Sequence, residues 1–237
     1  MIKFFRHIRQ NLIMDNKTSK YMKYAIGEII LVVFGILIAL SINNWNEDRI
    51  KKQAELKFYE NIKHQLSDDA SNIKGQIRYN SKYYEQFEYA INIIENEDRT
   101  KMDTLARIAL NLSNYSDFDR QGNIYETMVN SGNIKLLTNE EIIDKIRRLE
   151  ETYIYANRME NIHLDAVLES VVPKLVTTIK FYDFEVKESE ELYGYGLQNL
   201  IMLSLRIMDE KVEIYERAIN EIDAITKLID SEIKEGS

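Results

Sequence analysis

The hydrophobic positions of this chain form one unbroken run followed by several stripes of helical period. Within residues 24–45, eleven Ile, Leu, Val and Phe side chains lie between Ile29 and Ile42, and Glu28 is the only charge. As a helix these 22 residues rise roughly 33 Å at ~1.5 Å each, enough for a hydrocarbon core ~30 Å thick. The apolar side chains contribute about −3 to −7 kcal/mol to insertion, against at most about +3 kcal/mol for the carboxylate, so the run predicts a membrane-spanning helix. Tyr24 and Trp45 stand at its two ends, where amphipathic rings favour the membrane interface.

Beyond the run, Ile50, Ala54, Phe58, Ile62, Leu66, Ala70, Ile73 and Ile77 recur at spacings of three and four, and Phe87, Ile91 and Ile94 continue them. Residues 47–97 hold no proline and only Gly75, so the pattern predicts one long amphipathic helix continuous with the span. A shorter helix is expected over 102–112, a polar loop over 114–122, and a second short helix over 124–130 stopped by Ser131-Gly132. Thr138-Asn-Glu-Glu141 reads as a capping box opening a second long helix on Ile142, Ile146, Leu149, Tyr153, Ala156 and Val167. Pro173 should kink or interrupt it. Residues 183–196 are the expected turn into a last helix that carries Met208, Val212, Tyr215, Ile219, Ile222, Ile225, Ile229 and Ile233 and ends at Gly236. Three long and two short helices with apolar stripes must bury those stripes together. The expected fold is therefore all-α: a single N-terminal transmembrane helix followed by an elongated antiparallel helical bundle. The expected parts are a basic tail (1–23), the membrane helix (24–45) and one helical domain (46–237).

Composition agrees with an almost wholly helical protein, since the chain has one proline and eight glycines in 237 residues. It has no cysteine, which excludes disulfides, thiolate metal sites and cysteine nucleophiles. The formal net charge of −8 argues against a nucleic-acid partner. That charge is unevenly placed: residues 1–45 carry six basic and two acidic side chains, a net +4, which leaves −12 on the remaining 192. By the positive-inside rule the N-terminus is cytoplasmic and the body exported, although Arg49, Lys51, Lys52 and Lys57 closely follow the span. In the tail, Phe5, Ile8 and Leu12 lie on one helical side among Lys3, Arg6 and Arg9, which suits either the headgroups of an anionic leaflet or a plain topogenic tail. Ala39-Leu-Ser41 also offers a signal-peptide processing site, but the apolar stretch is longer than a signal core and continues to Trp45, which favours an uncleaved anchor.

Residues 1–10 (MIKFFRHIRQ) and 19–47 (SKYMKYAIGEIILVVFGILIALSINNWNE) resemble the start of an uncharacterised family of single-pass membrane proteins abundant in Bacteroidota. After about residue 50 the resemblance is loose, resting on helical pattern and on YETMVNSG at 125–132. It implies an inner-membrane protein of a two-membrane bacterium with its body in the periplasm, and it brings no catalytic residues.

Glu28, Gly35 and Ala39 share one side of the membrane helix with Val32 and Ile42. Small residues there permit close approach of another helix, and a carboxylate within the run favours a protein partner over lipid. The alternatives are a monomeric anchor with Glu28 at the interface, or a titrating Glu28. Glu160 and His163 have the i, i+3 spacing that di-iron bundles use twice, but the pair occurs once, with Glu60 and His64 as the only further set; a buried or surface polar pair is the expectation, and no metal or cofactor is expected. Tyrosines such as Tyr79, Tyr83, Tyr84, Tyr89, Tyr153 and Tyr155 are expected mainly in the core. No phosphate loop, dinucleotide fingerprint or nucleophile elbow is present. The expected role is a non-enzymatic scaffold of the bacterial envelope that associates with itself or with other membrane proteins; a sensory module working through a membrane partner is the alternative.

Overall fold

The computed structural model describes residues 18–118 and 122–236, without the side chains of residues 18–21 and Tyr24. The expectations for the basic tail up to residue 17 and for the Tyr24 ring fall outside the described residues. The chain divides into two compact units, Met1–Ala54 and Glu55–Ser237. Helix α1 (Thr18–Glu95) begins in the first and ends in the second, unbroken over 78 residues as its lack of proline predicts. In the first unit its apolar side chains from Ile26 to Ile42 are all exposed.

The second unit is all-α. After α1 come α2 (Met102–Leu110), α3 (Ile124–Asn130), α4 (Glu140–Ala166), α5 (Val172–Thr178), α6 (Ser189–Leu192) and α7 (Tyr195–Gly236). The described residues form no β-strand, only one isolated antiparallel bridge between Ile179 and Val186. Side-chain pairs fix the directions. Lys63 meets Asp230, Tyr84 meets Asp209 and Tyr155 meets Glu210, so α7 is antiparallel to both α1 and α4. Glu55 meets Thr138 and Asp69 meets Tyr153, so α1 and α4 run in the same direction. A same-direction pair requires the chain to travel back along the bundle, and residues 114–118 and 122–138 do so: Phe118 meets Glu160 and Ile124 meets Glu150, antiparallel to α4.

Two expectations need correction. Thr138 does not cap α4: its hydroxyl and its N–H both donate to the Glu55 carboxylate, at 2.7 and 2.8 Å. Asn139 is the N-cap, its side-chain oxygen accepting from the N–H groups of Glu141 and Ile142. Among the described residues there are also four short α-helices rather than two. Pro173 has no N–H to continue the ladder; α4 gives way to a π-turn (Val167–Val171), and α5 restarts with the proline in its first turn. The expected stop at Ser131-Gly132 is present, with Gly132 in the left-handed region at φ 73°.

The core consists of two apolar clusters. One gathers Tyr59, Ile62, Leu66, Ile73, Ile142, Ile146, Leu149, Tyr153, Ile214, Ile222, Ile225 and Ile229 with Phe118, Ile124 and Met128 of the returning chain. The other gathers Phe87, Ala90, Ile94, Leu105, Ile108, Leu112, Val171, Leu175, Leu197, Ile201 and Met208.

Candidate functional site

Two places combine chemistry with unusual exposure or burial. The first is the apolar run of α1. Ile29, Leu31, Phe34 and Ile38 are 59–66% exposed, and none of the apolar window is buried. This separates it from the core helix of a water-soluble protein, whose apolar residues are covered. Gly35 and Ala39 are exposed and Glu28 is half-buried. A Cβ on Gly35 would meet nothing within 4 Å. At the end of the run Trp45 is exposed, with the Arg49 guanidinium 5.4 Å from its ring centroid, and Asn43 donates to Glu47 at 2.8 Å.

The second place lies where the two apolar clusters meet. Each segment that passes from one cluster to the other carries a buried polar residue at the crossing: Asn80 on α1, Ser116 on the returning chain, His163 on α4 and Lys211 on α7. Lys211 is 1% exposed and His163 2%. The Lys211 ammonium donates to the Ser116 carbonyl oxygen at 2.5 Å and lies 3.4 Å from His163 Nδ1. One oxygen of Glu160, itself buried, accepts from the Phe118 N–H at 2.8 Å and from the Tyr215 hydroxyl. An ammonium has no lone pair, so His163 Nδ1 must be the acceptor and the imidazole proton sits on Nε2, which has no hydrogen-bond partner among the described residues. The Tyr115 ring stands edge-on to the imidazole, 6.3 Å between centroids.

Burial governs the protonation states. Loss of solvent pushes Lys211 down to about 8, with Glu160 and Asp117 pulling it back up. His163 is pushed down to about 4 by burial and by the Lys211 charge, both in the same direction. Burial raises Glu160 above the usual carboxylate range, while the Tyr215 hydroxyl, the Phe118 N–H and the Lys211 ammonium hold that rise in check. At neutral pH the site therefore sets a charged Lys211 ammonium against a neutral imidazole.

Glu160 is one of three buried glutamates that fasten the returning chain through backbone N–H groups. Glu150 accepts from the N–H of Ile124 at 3.0 Å, and Glu55 holds Thr138. Each satisfies a donor that a non-helical segment would otherwise leave bare in the interior.

Glu60 and His64 do not join Glu160 and His163. Both are exposed on α1, and His64 faces Asp68 at 3.2 Å. Among the described residues no group of three His, Asp or Glu is placed to hold a metal ion. The tyrosines divide: Tyr59, Tyr153 and Tyr215 are fully buried, Tyr79, Tyr83, Tyr84 and Tyr155 half-buried, and Tyr89, Tyr182 and Tyr195 exposed.

Lys211 was the residue hardest to find from the sequence. The buried seam of α7 is Met208, Lys211, Tyr215, Ala218, Ile222, Ile225 and Ile229, spaced three and four throughout, whereas Val212, Ile219 and Ile233 lie beside it and are half-buried. A stripe built from apolar residues alone steps around the lysine; strict seam spacing passes through it.

Comparison with known proteins gives one match. The model of a family described as "Family of unknown function (DUF6090)" matches residues 28–191. No curated protein and no solved structure matches the chain.

Proposed function

The chain belongs to the DUF6090 family of unknown function, and from that premise we propose that it is a single-pass, membrane-anchored scaffold of the bacterial envelope that has no catalytic step of its own. The observation that carries this reading is the solvent-facing apolar run of α1, Ile26 to Ile42, which none of the described residues covers. Exposed aliphatic area of that size is unfavourable in water at about 25 cal/mol per Å² and is relieved in hydrocarbon. The side of α1 that carries Glu28, Gly35 and Ala39 suits association with a second copy or with another membrane helix. The +4 charge of residues 1–45 favours a cytoplasmic N-terminus, which puts the acidic domain in the periplasm of a two-membrane bacterium, in an inner membrane.

Purification of the tagged protein from native membranes after mild crosslinking tests the scaffold role. The reading predicts a reproducible stoichiometric partner or homo-oligomer, weakened by Gly35→Ile; a monomer unaffected by crosslinker overturns it.

A further inference from the structure

We infer that His163 and Lys211 form a proton-operated latch, which holds residues 116–118 of the returning chain against α4 and α7 and lets them go when His163 is protonated. The inference concerns the second unit alone and stands whether or not α1 enters a bilayer.

The geometry supplies the mechanism. Lys211 reaches the returning chain through one bond, to the Ser116 carbonyl oxygen, and the same nitrogen lies against the bare Nδ1 of His163. A protonated imidazole presents an N–H and a positive charge to an ammonium 3.4 Å away, with no solvent between them. Two donors cannot share that contact, and two buried like charges repel strongly at this distance. Lys211, on four methylenes, is the partner free to swing out, and it takes its bond to Ser116 with it. The crossing between the two apolar clusters is where such a movement disturbs least packing.

The groups around the latch come from every packed element. α4 contributes Glu160, α7 contributes Tyr215, and the returning chain contributes Tyr115 and Asp117. α1 contributes Asp69, which accepts from Tyr153, and Arg78, which lines a groove with Asp117. Glu160 works against release. Its proton affinity is higher in the closed state, so acid favours closure through Glu160 and opening through His163. Release requires His163 to prevail: burial and Lys211 both push it the same way, whereas three partners restrain the rise at Glu160. His163 titrates near 4 when closed and near its ordinary 6.5 when exposed, so lowering the pH from 7 to 5 favours opening by up to roughly 20-fold, less the opposing share of Glu160.

The test is hydrogen exchange of the full-length protein in detergent between pH 7 and 5, corrected for the intrinsic rate. Protection of the Phe118 amide should fall on the order of tenfold, while amides beside Ile62, Leu66 and Ile73 keep theirs. His163→Gln should abolish the fall, and Glu160→Gln, which keeps an acceptor oxygen but cannot titrate, should steepen it. If His163→Gln does not fold, the His163 resonance in the wild-type protein must titrate with the same midpoint as the Phe118 exchange. Constant Phe118 protection, an identical fall in His163→Gln, separate midpoints, or loss of the core amides together with Phe118 each overturns the latch.

Discussion

At the scale of single residues, the second unit is organised by polar side chains on seam positions. The buried line of α1 runs Glu55, Tyr59, Ile62, Leu66, Asp69, Ile73, Asn80, Phe87, and that of α4 runs Ile142, Ile146, Leu149, Tyr153, Ala156, Glu160, His163 and on to Val167 of the π-turn. Glu160→Ala should destabilise the protein by about 3–5 kcal/mol, because it leaves Phe118 N–H and the Tyr215 hydroxyl without their acceptor and Lys211 without its counter-charge. Equilibrium denaturation at pH 7 measures it. Lys211 has a pH signature of its own: it binds its proton near 8 when folded and near 10.5 when unfolded, so the unfolded state holds more protons between those values and stability rises with pH. Relative to Lys211→Met, the wild-type protein should gain about 2 kcal/mol between pH 8 and 10; an unchanged difference contradicts the burial of a charged amine. These seams were half legible in the sequence. Their spacing was there to read: apolar residues alone put the stripe of α1 on the true seam at Ile62, Leu66 and Ile73 but beside it at Ile50, Ala54, Phe58, Ala70 and Ile77, because its buried carboxylates do not count as hydrophobic.

At the scale of elements, the sequence located the helices well because their punctuation is local. Pro173 and Gly132 act where they stand. Caps that depend on a distant partner were not legible. Thr138 and Asn139 both have cap chemistry, and only Glu55, 83 residues away, decides between them by taking the threonine. Asn139→Ala should therefore lose about 1 kcal/mol of stability by thermal or chemical melting, as a lost N-cap does; stability equal to wild type would return the cap to Thr138. The end of α1 carries a second test. The N–H of Asp98 bonds to the Ile93 carbonyl and that of Glu97 to the Ile94 carbonyl, a Schellman ending that puts Glu97 at φ 49°. Glu97→Gly relieves this left-handed conformation and should stabilise the protein by about 0.5–1 kcal/mol, where a glycine inside a helix destabilises by a similar amount.

At the scale of the whole chain, two environments are written into one helix. α1 exposes its apolar residues over the first unit and alternates buried and exposed ones over the second. The apolar run was fully legible because a solid stretch of Ile, Leu, Val and Phe needs no partner to interpret. The route of the returning chain was not, since it rests on single glutamates reaching backbone N–H groups 26 to 83 residues away. Membership of the DUF6090 family adds no activity to this picture, so the central claim is physical: the first unit is a membrane anchor. Alkaline carbonate extraction of native membranes, followed by intact-mass measurement, tests it most directly. The account predicts a chain in the washed membrane pellet whose mass still includes the apolar run Ile26 to Ile42; release into the supernatant, or a chain cleaved after that run, would contradict it.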